Sequence, residues 1–203
     1  EASSRAEYTA SGGDSKLSAE RVFKGFLVNS YTSIKAELNN KYFIISPTEG
    51  SFVFIYDFES FSVDKEVTIV GVENAMNFRF IQKQADLFNK ITPLFVSRYP
   101  QNQSKDFISW MKSVPNKYIH FGDFDIAGIG IYLNEYKKYL GERARFFIPD
   151  GIENTLHEHG NRQRFDIQKF TFNPNEIQEP ELARLIETIK RKKEGLDQEI
   201  LIR

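Results

Sequence analysis

The stretch Tyr118-Ile-His-Phe-Gly-Asp-Phe-Asp125 decides how this chain reads. Four strand-favouring residues run into Gly122, and aspartates follow at 123 and 125. A short, mostly apolar run suits a strand buried on both faces of a parallel sheet. Acids directly after such a strand lie at its carboxyl end, which lines the ligand crevice in open α/β sheets. In extended backbone, residues i and i+2 point to the same side, so both carboxylates can face one cation. Gly122 leaves space beside them, and Gly128 and Gly130 keep the following helix slim.

The same pattern extends outward. Val67-Thr-Ile-Val-Gly-Val72 is a second buried run, followed directly by Glu73. Residues 75–90 read as helix, with Phe78, Ile81, Ala85 and Phe88 on one side. Leu94–Ser97 reads as a strand, and Ser104 can cap a short helix carrying Phe107, Ile108 and Met111. Trp110 reads as core. Beyond Asp125, Ile126, Ile129, Leu133, Tyr136 and Leu140 mark an amphipathic helix that Gly141 ends. Ala144–Ile148 is a fourth strand, stopped by Pro149. The βαβαβαβ order predicts an α/β fold with a parallel four-stranded sheet flanked by helices.

Residues 1–64 form a separate expectation: a small N-terminal α+β extension. It comprises a loose polar arm over 1–16, a helix within 17–38 carrying Val22, Phe23, Phe26 and Leu27, and a hairpin. The hairpin pairs Tyr42–Ser46 with Phe52–Tyr56 around Pro47-Thr-Glu-Gly50. Residues 65–203 form the second expected domain, ending in a charged helix from about Pro180 to Lys193. Lys190-Arg-Lys-Lys193 at the end of that helix complements its dipole and reads as a solvated terminus.

Composition limits the chemistry. The 203 residues include no cysteine, so thiolate metal sites and disulfides are excluded. Oxygen or imidazole ligands favour Mg²⁺, Mn²⁺ or Ca²⁺ over structural zinc. The net charge of −1 argues against a large non-specific nucleic-acid surface but not against a small active site. No apolar run approaches the length of a membrane span, and the lack of cysteine fits a cytoplasmic protein. The opening Glu1-Ala-Ser-Ser-Arg is neither an initiator Met nor a signal peptide, and suggests a fragment or processed chain.

Glu73, Asp123 and Asp125 thus become candidate ligands of one Mg²⁺. Clustered carboxylates repel, and a cation or a proton relieves them. Such a metal suits phosphodiester chemistry, with Glu73 as general base, general acid or further ligand. The plainer alternative makes Asp125 only the cap of the helix from Ile126, and an isolated Asp-x-Asp carries little weight.

At these residues the sequence resembles the Toprim superfamily. Val67-Thr-Ile-Val-Gly-Val-Glu73-Asn74 matches its first motif, and His120-Phe-Gly-Asp123-Phe-Asp125-Ile-Ala-Gly128 matches its second. The likeness covers roughly residues 65–150. It is greatest to the branch holding the A subunit of type IIB topoisomerases, the meiotic recombination nucleases and the nuclease subunit of Wadjet defence systems. It implies a Rossmann-like fold, the acidic roles for Glu73, Asp123 and Asp125, Mg²⁺, and DNA as substrate, with RNA open on the same chemistry. It also implies protein partners in a larger complex, with a homodimer as one option. The topoisomerase branch cuts with a tyrosine upstream of this domain. The surroundings of Tyr8 and Tyr31 do not resemble that motif, so hydrolysis by water is the expectation. The alternatives are a topoisomerase-like subunit whose tyrosine lies outside this chain, and a non-catalytic binding module.

Weaker candidates follow the fourth strand in Leu156-His-Glu-His-Gly-Asn-Arg-Gln-Arg164. His159, Arg162 and Arg164 suit phosphate contact, or form an ordinary solvated loop. His157 and His159 lack a third ligand for zinc. Arg79 and Lys83 share one face after Glu73 and can reach a phosphate or simply decorate the surface. Phe121 and Phe124 read as core rather than base-stacking platforms.

Overall fold

The computed structural model describes residues 23–99 and 104–202. The expected arm over 1–16, with Tyr8, and the start of the expected helix, with Val22, lie outside them.

Among the described residues nine strands form two sheets. They are β1 (Phe26–Asn29), β2 (Ile34–Leu38), β3 (Lys41–Ile45), β4 (Val53–Ile55), β5 (Ser62–Val63), β6 (Val67–Val72), β7 (Thr92–Ser97), β8 (Tyr118–Phe121) and β9 (Ala144–Phe146). The large sheet has the order β4-β1-β7-β6-β8-β9, and the small one the order β3-β2-β5. β6 runs parallel to both β7 and β8, and β8 runs parallel to β9. The four expected parallel strands are therefore present and adjacent. The sheet is nonetheless mixed and six-stranded, because β1 pairs antiparallel with β7 and β4 antiparallel with β1. Strands from both sides of residue 64 share this sheet.

Two N-terminal expectations are corrected. Phe26 and Leu27 lie in a strand, not a helix. Phe26 and Val28 are fully buried, and β1 has hydrogen-bonded neighbours on both sides. A central strand buries most of its side chains whatever their period, and so mimics a helix face in sequence. Gly25, at φ 116°, leads into β1 and donates its N–H to Asp106. The expected hairpin between residues 42–46 and 52–56 does not form, since β3 and β4 belong to different sheets. β3 instead pairs with β2, Leu38 opposite Lys41. Their two-residue turn is Asn39-Asn40, at φ 51° and 59°, the positive angles that a type I′ turn requires. Asn39 is anchored by Asp57 at 2.8 Å and by Ser60.

Among the described residues the main α-helices are α1 (Ala75–Arg79), α2 (Ser104–Ser113), α3 (Ile126–Ile131), α4 (Ile152–His159), α5 (Arg162–Ile167) and α6 (Pro180–Lys192). The helix expected over 75–90 is only one turn of α-helix and then continues as a 3₁₀ segment, Ile81–Phe88. Gln84 ties the two together by donating to the carbonyls of Asn77 and Phe80. α3 runs on through a π-helical segment, Tyr132–Lys137, to a last turn, Lys138–Leu140. Gly141 then turns out at φ 57°.

The core is aromatic. Trp110, Phe26, Phe61 and Phe107 pack together, and the Trp110 indole donates to the Phe61 carbonyl at 2.8 Å. Phe121 and Phe124 are buried in the core, as expected. Among the described residues no helix is long and apolar enough to cross a membrane.

One topological feature positions the site. Of the parallel strands, β6 is first in sequence, yet it lies between β7 and β8. The chain leaves β6 toward one edge and leaves β8 toward the other. A crevice opens outside the carboxyl ends at such a reversal, and Glu73, Asp123 and Asp125 follow β6 and β8.

Candidate functional site

Parallel pairing holds the ends of β6 and β8 together. Val72 is opposite Phe121, and the Glu73 N–H donates to the Phe121 carbonyl at 3.0 Å. Gly122 is needed here for room. A Cβ on it would lie 2.4 Å from Glu73 Oε2 and 2.8 Å from His120 Nε2. The three acids expected together do lie at one edge of the sheet, in three different electrostatic settings.

Asp125 is 2% exposed and extended, and caps α3. Its Oδ1 accepts from the Gly128 N–H at 2.8 Å, and its Oδ2 from Gln168 at 2.8 Å and Arg164 at 2.7 Å. The capping alternative is therefore realised. Asp123 accepts the Gln198 N–H on Oδ1 at 2.8 Å and Arg164 on Oδ2 at 3.2 Å. The two aspartates face one cation, and that cation is the Arg164 guanidinium, which also pairs with Asp197. Burial raises the Asp123 carboxyl above the usual range, with the Asp125 and Glu73 charges adding to it. Burial works against the charge of Arg164, but its aspartates hold the guanidinium protonated.

Glu73 has different partners. Arg98 Nη1 lies 3.6 Å from its Oε1, and His120 Nε2 lies 3.4 Å from its Oε2. Burial alone would raise its pKa, but His120 and Arg98 together hold it below the usual value. Arg98, itself buried, also binds Glu135 at 2.6 Å.

The C-terminal segment straps this edge together. Leu196 exchanges backbone hydrogen bonds with Phe124, and Gly195 does so with Asn161. Gly195 packs so closely that a Cβ there would lie 2.8 Å from the Asp125 Cβ. The Gln198 side chain accepts from the Asn74 N–H, and its carbonyl accepts from Asn77 in α1. Asn74 in turn caps α1, accepting from the Met76 and Asn77 N–H groups.

The weaker candidates separate. Arg164 joins the acids. Arg162 is exposed and faces Asp166 at 3.9 Å, and His159 is exposed beside Glu158. Arg79 is exposed, and both it and Lys83 stack over the Phe80 ring. Lys190-Arg-Lys-Lys193 ends α6, as the solvated-terminus reading expects. Sequence reasoning missed Arg98, Glu135, Tyr118, His120, Gln168, Asp197 and Gln198. Only His120 stood out locally, as a polar residue inside an apolar strand.

The donors suit Mg²⁺ in kind, since all are carboxylate oxygens. Glu73 Oε2 is buried without a hydrogen-bond partner, and negative charge crowds Asp123. Their arrangement is less accommodating. Among the described residues no three His, Asp or Glu side chains gather as a metal-holding group, and Arg164 balances two of the acids.

Fold and site together define an α/β protein with a mixed six-stranded sheet and a charged cluster at the carboxyl ends of β6 and β8, where the strand order reverses. The chain belongs to the family described as Domain of unknown function (DUF7281), whose model matches residues 26–203. A search of curated proteins finds no match.

Proposed function

We propose that this chain is a Toprim-type nuclease that hydrolyses DNA phosphodiesters with Mg²⁺, working with protein partners. The observation that carries this reading is the placement of Glu73, Asp123 and Asp125 at the carboxyl ends of β6 and β8, where the strand order reverses. Ligands of open α/β sheets bind at that point.

Glu73, Asp123 and Asp125 would hold the ion, and Asp125 would do so only as Arg164 gives way. The bound ion would polarise a phosphoryl oxygen and offset charge on the leaving oxygen. Glu73, kept ionised by His120 and Arg98, takes the proton of the attacking water. Arg164, once freed from the aspartates, is suited to pair with a phosphate oxygen.

Supercoiled plasmid incubated with the protein and Mg²⁺ or Mn²⁺ tests this reading. Nicking should appear with the wild type and disappear with Asp123→Ala and Glu73→Gln. Identical traces for wild type and Asp123→Ala would sink it. A single-stranded RNA arm decides between the two nucleic acids. Protein covalently attached to a 5′ end on a denaturing gel would favour transesterification by a tyrosine outside this chain.

Arg164 favours a second reading, a non-catalytic binding module. An arginine already neutralises the acids there, so no ion is required. DNA binding without cleavage and without metal dependence would support it.

A further inference from the structure

Two features of the paired strands β6 and β8 bear on how the Glu73 carboxylate is held. One is Gly71, inside a strand of valine, threonine and isoleucine, where glycine costs stability. The other is His120, 0% exposed on β8. The register puts them opposite each other. A Cβ on Gly71 would lie 2.4 Å from the Tyr118 hydroxyl, while the Cβ missing from Gly122 would meet Glu73 and His120. The two glycines therefore leave room for one buried row of polar groups. Tyr118 Oη lies 2.8 Å from His120 Nδ1, and His120 Nε2 lies 3.4 Å from Glu73 Oε2. Rings of Tyr132, Tyr136 and Phe146 surround the imidazole.

The ionised Glu73 carboxylate at one end suits one direction along the row. An ionised carboxylate only accepts, so Nε2 must carry the proton that faces Glu73. With that proton on Nε2 of a neutral imidazole, Nδ1 is left to accept and Tyr118 is the donor to it. Burial raises the Tyr118 pKa well above 10.0 and keeps that donor protonated. His120 Nε2 and Glu73 Oε2 are both buried without a hydrogen-bond partner. Native interiors rarely leave such atoms facing each other without a role.

We infer that Tyr118 and His120 are positioning residues for the Glu73 carboxylate, with Tyr118 holding the imidazole so that its Nε2 faces Oε2. Arg98 steadies the other oxygen. The inference rests on the metal reading above, because it assigns this row to orienting one of the proposed ligands. Partners of this kind typically change metal affinity by about 10–100-fold when removed.

The test is calorimetric titration with Mn²⁺, with thermal melting as the check on folding. His120→Leu fills the space but cannot donate, whereas His120→Gln can place an N–H near the Nε2 position. His120→Leu should weaken Mn²⁺ binding by about tenfold, and His120→Gln should recover most of it. A purely packing role predicts the opposite order, with leucine the better replacement. If His120→Leu fails to fold, Tyr118→Phe carries the test, with a several-fold loss expected. Wild-type binding matched by His120→Leu, or by Tyr118→Phe where leucine does not fold, overturns the inference and leaves the metal reading standing. No binding to wild type overturns both.

Discussion

Arg164 carries the most consequence for a single residue. In sequence it is one of several basic side chains suited to a phosphate. In the fold its guanidinium reaches Asp123, Asp125 and Asp197, and Gln168 completes the coordination of Asp125. Arg164→Ala would leave Asp125 buried with only its cap and Gln168. The side chain of Arg164 is 28% exposed, so solvent screens part of the loss. The expected cost is about 1–2 kcal/mol in metal-free buffer, within the range for charged hydrogen bonds discounted for exposure. Removing this competitor should also tighten Mn²⁺ binding. Mn²⁺ should therefore raise the melting temperature of Arg164→Ala more than that of wild type, by ligand linkage. An equal rise in both would show that the arginine does not contend with the ion.

At the scale of elements, the close pairing of β6 and β8 depends on residues without side chains. Gly71→Ala would drive a methyl group against Tyr118 Oη and its ring carbons, all within 3 Å. Tyr118 is buried and stacked on Tyr136 at 4.7 Å, so its ring has nowhere to go. Overpacking of this sort costs about 1–3 kcal/mol. Urea unfolding should show a lower midpoint with an unchanged slope. In the smaller sheet, the β2–β3 pair illustrates how a turn overrides an apparent pairing. Two β-rich runs around Pro47 and Gly50 suggest a hairpin, but Asn39-Asn40 takes up the left-handed angles first and sends β3 back along β2. The Asn-Asn pair was the readable signal, and the Pro/Gly segment was the distraction.

For the whole molecule, the aromatic core predicts a distinctive response to alkali. Burial, with the neighbouring Glu179 carboxylate, raises the Tyr132 pKa far above its ordinary 10.0. Burial does the same at Tyr136, with Arg98 opposing it. Native phenols of this kind hold their protons more tightly than unfolded ones. The stability they contribute is thus fully present below pH 10 or so and is lost progressively as pH rises above it. Absorbance at 295 nm should show these phenolates appearing together with loss of tertiary structure by near-ultraviolet circular dichroism. Free titration of Tyr132 and Tyr136 in the folded protein would contradict their burial.

Sequence by itself determined what is local in this protein. Short buried runs and helix periods identified β6 to β9 and the α3 helix, and put Glu73, Asp123 and Asp125 at two strand ends. Asp125 as a cap was legible too, because a cap is decided within four residues. Only the tertiary structure decided what those acids face. Arg164 lies 39 positions from Asp125, and the Gln198 N–H that binds Asp123 lies 75 positions away. Neither pairing leaves a trace in local composition, since charged partners are chosen by the folded backbone rather than by nearby residues. The same holds for β1, which reads as a helix face until two neighbouring strands bury it from both sides. Strand identity there is a property of the sheet, because the ladder hydrogen bonds that define it come from segments distant in sequence.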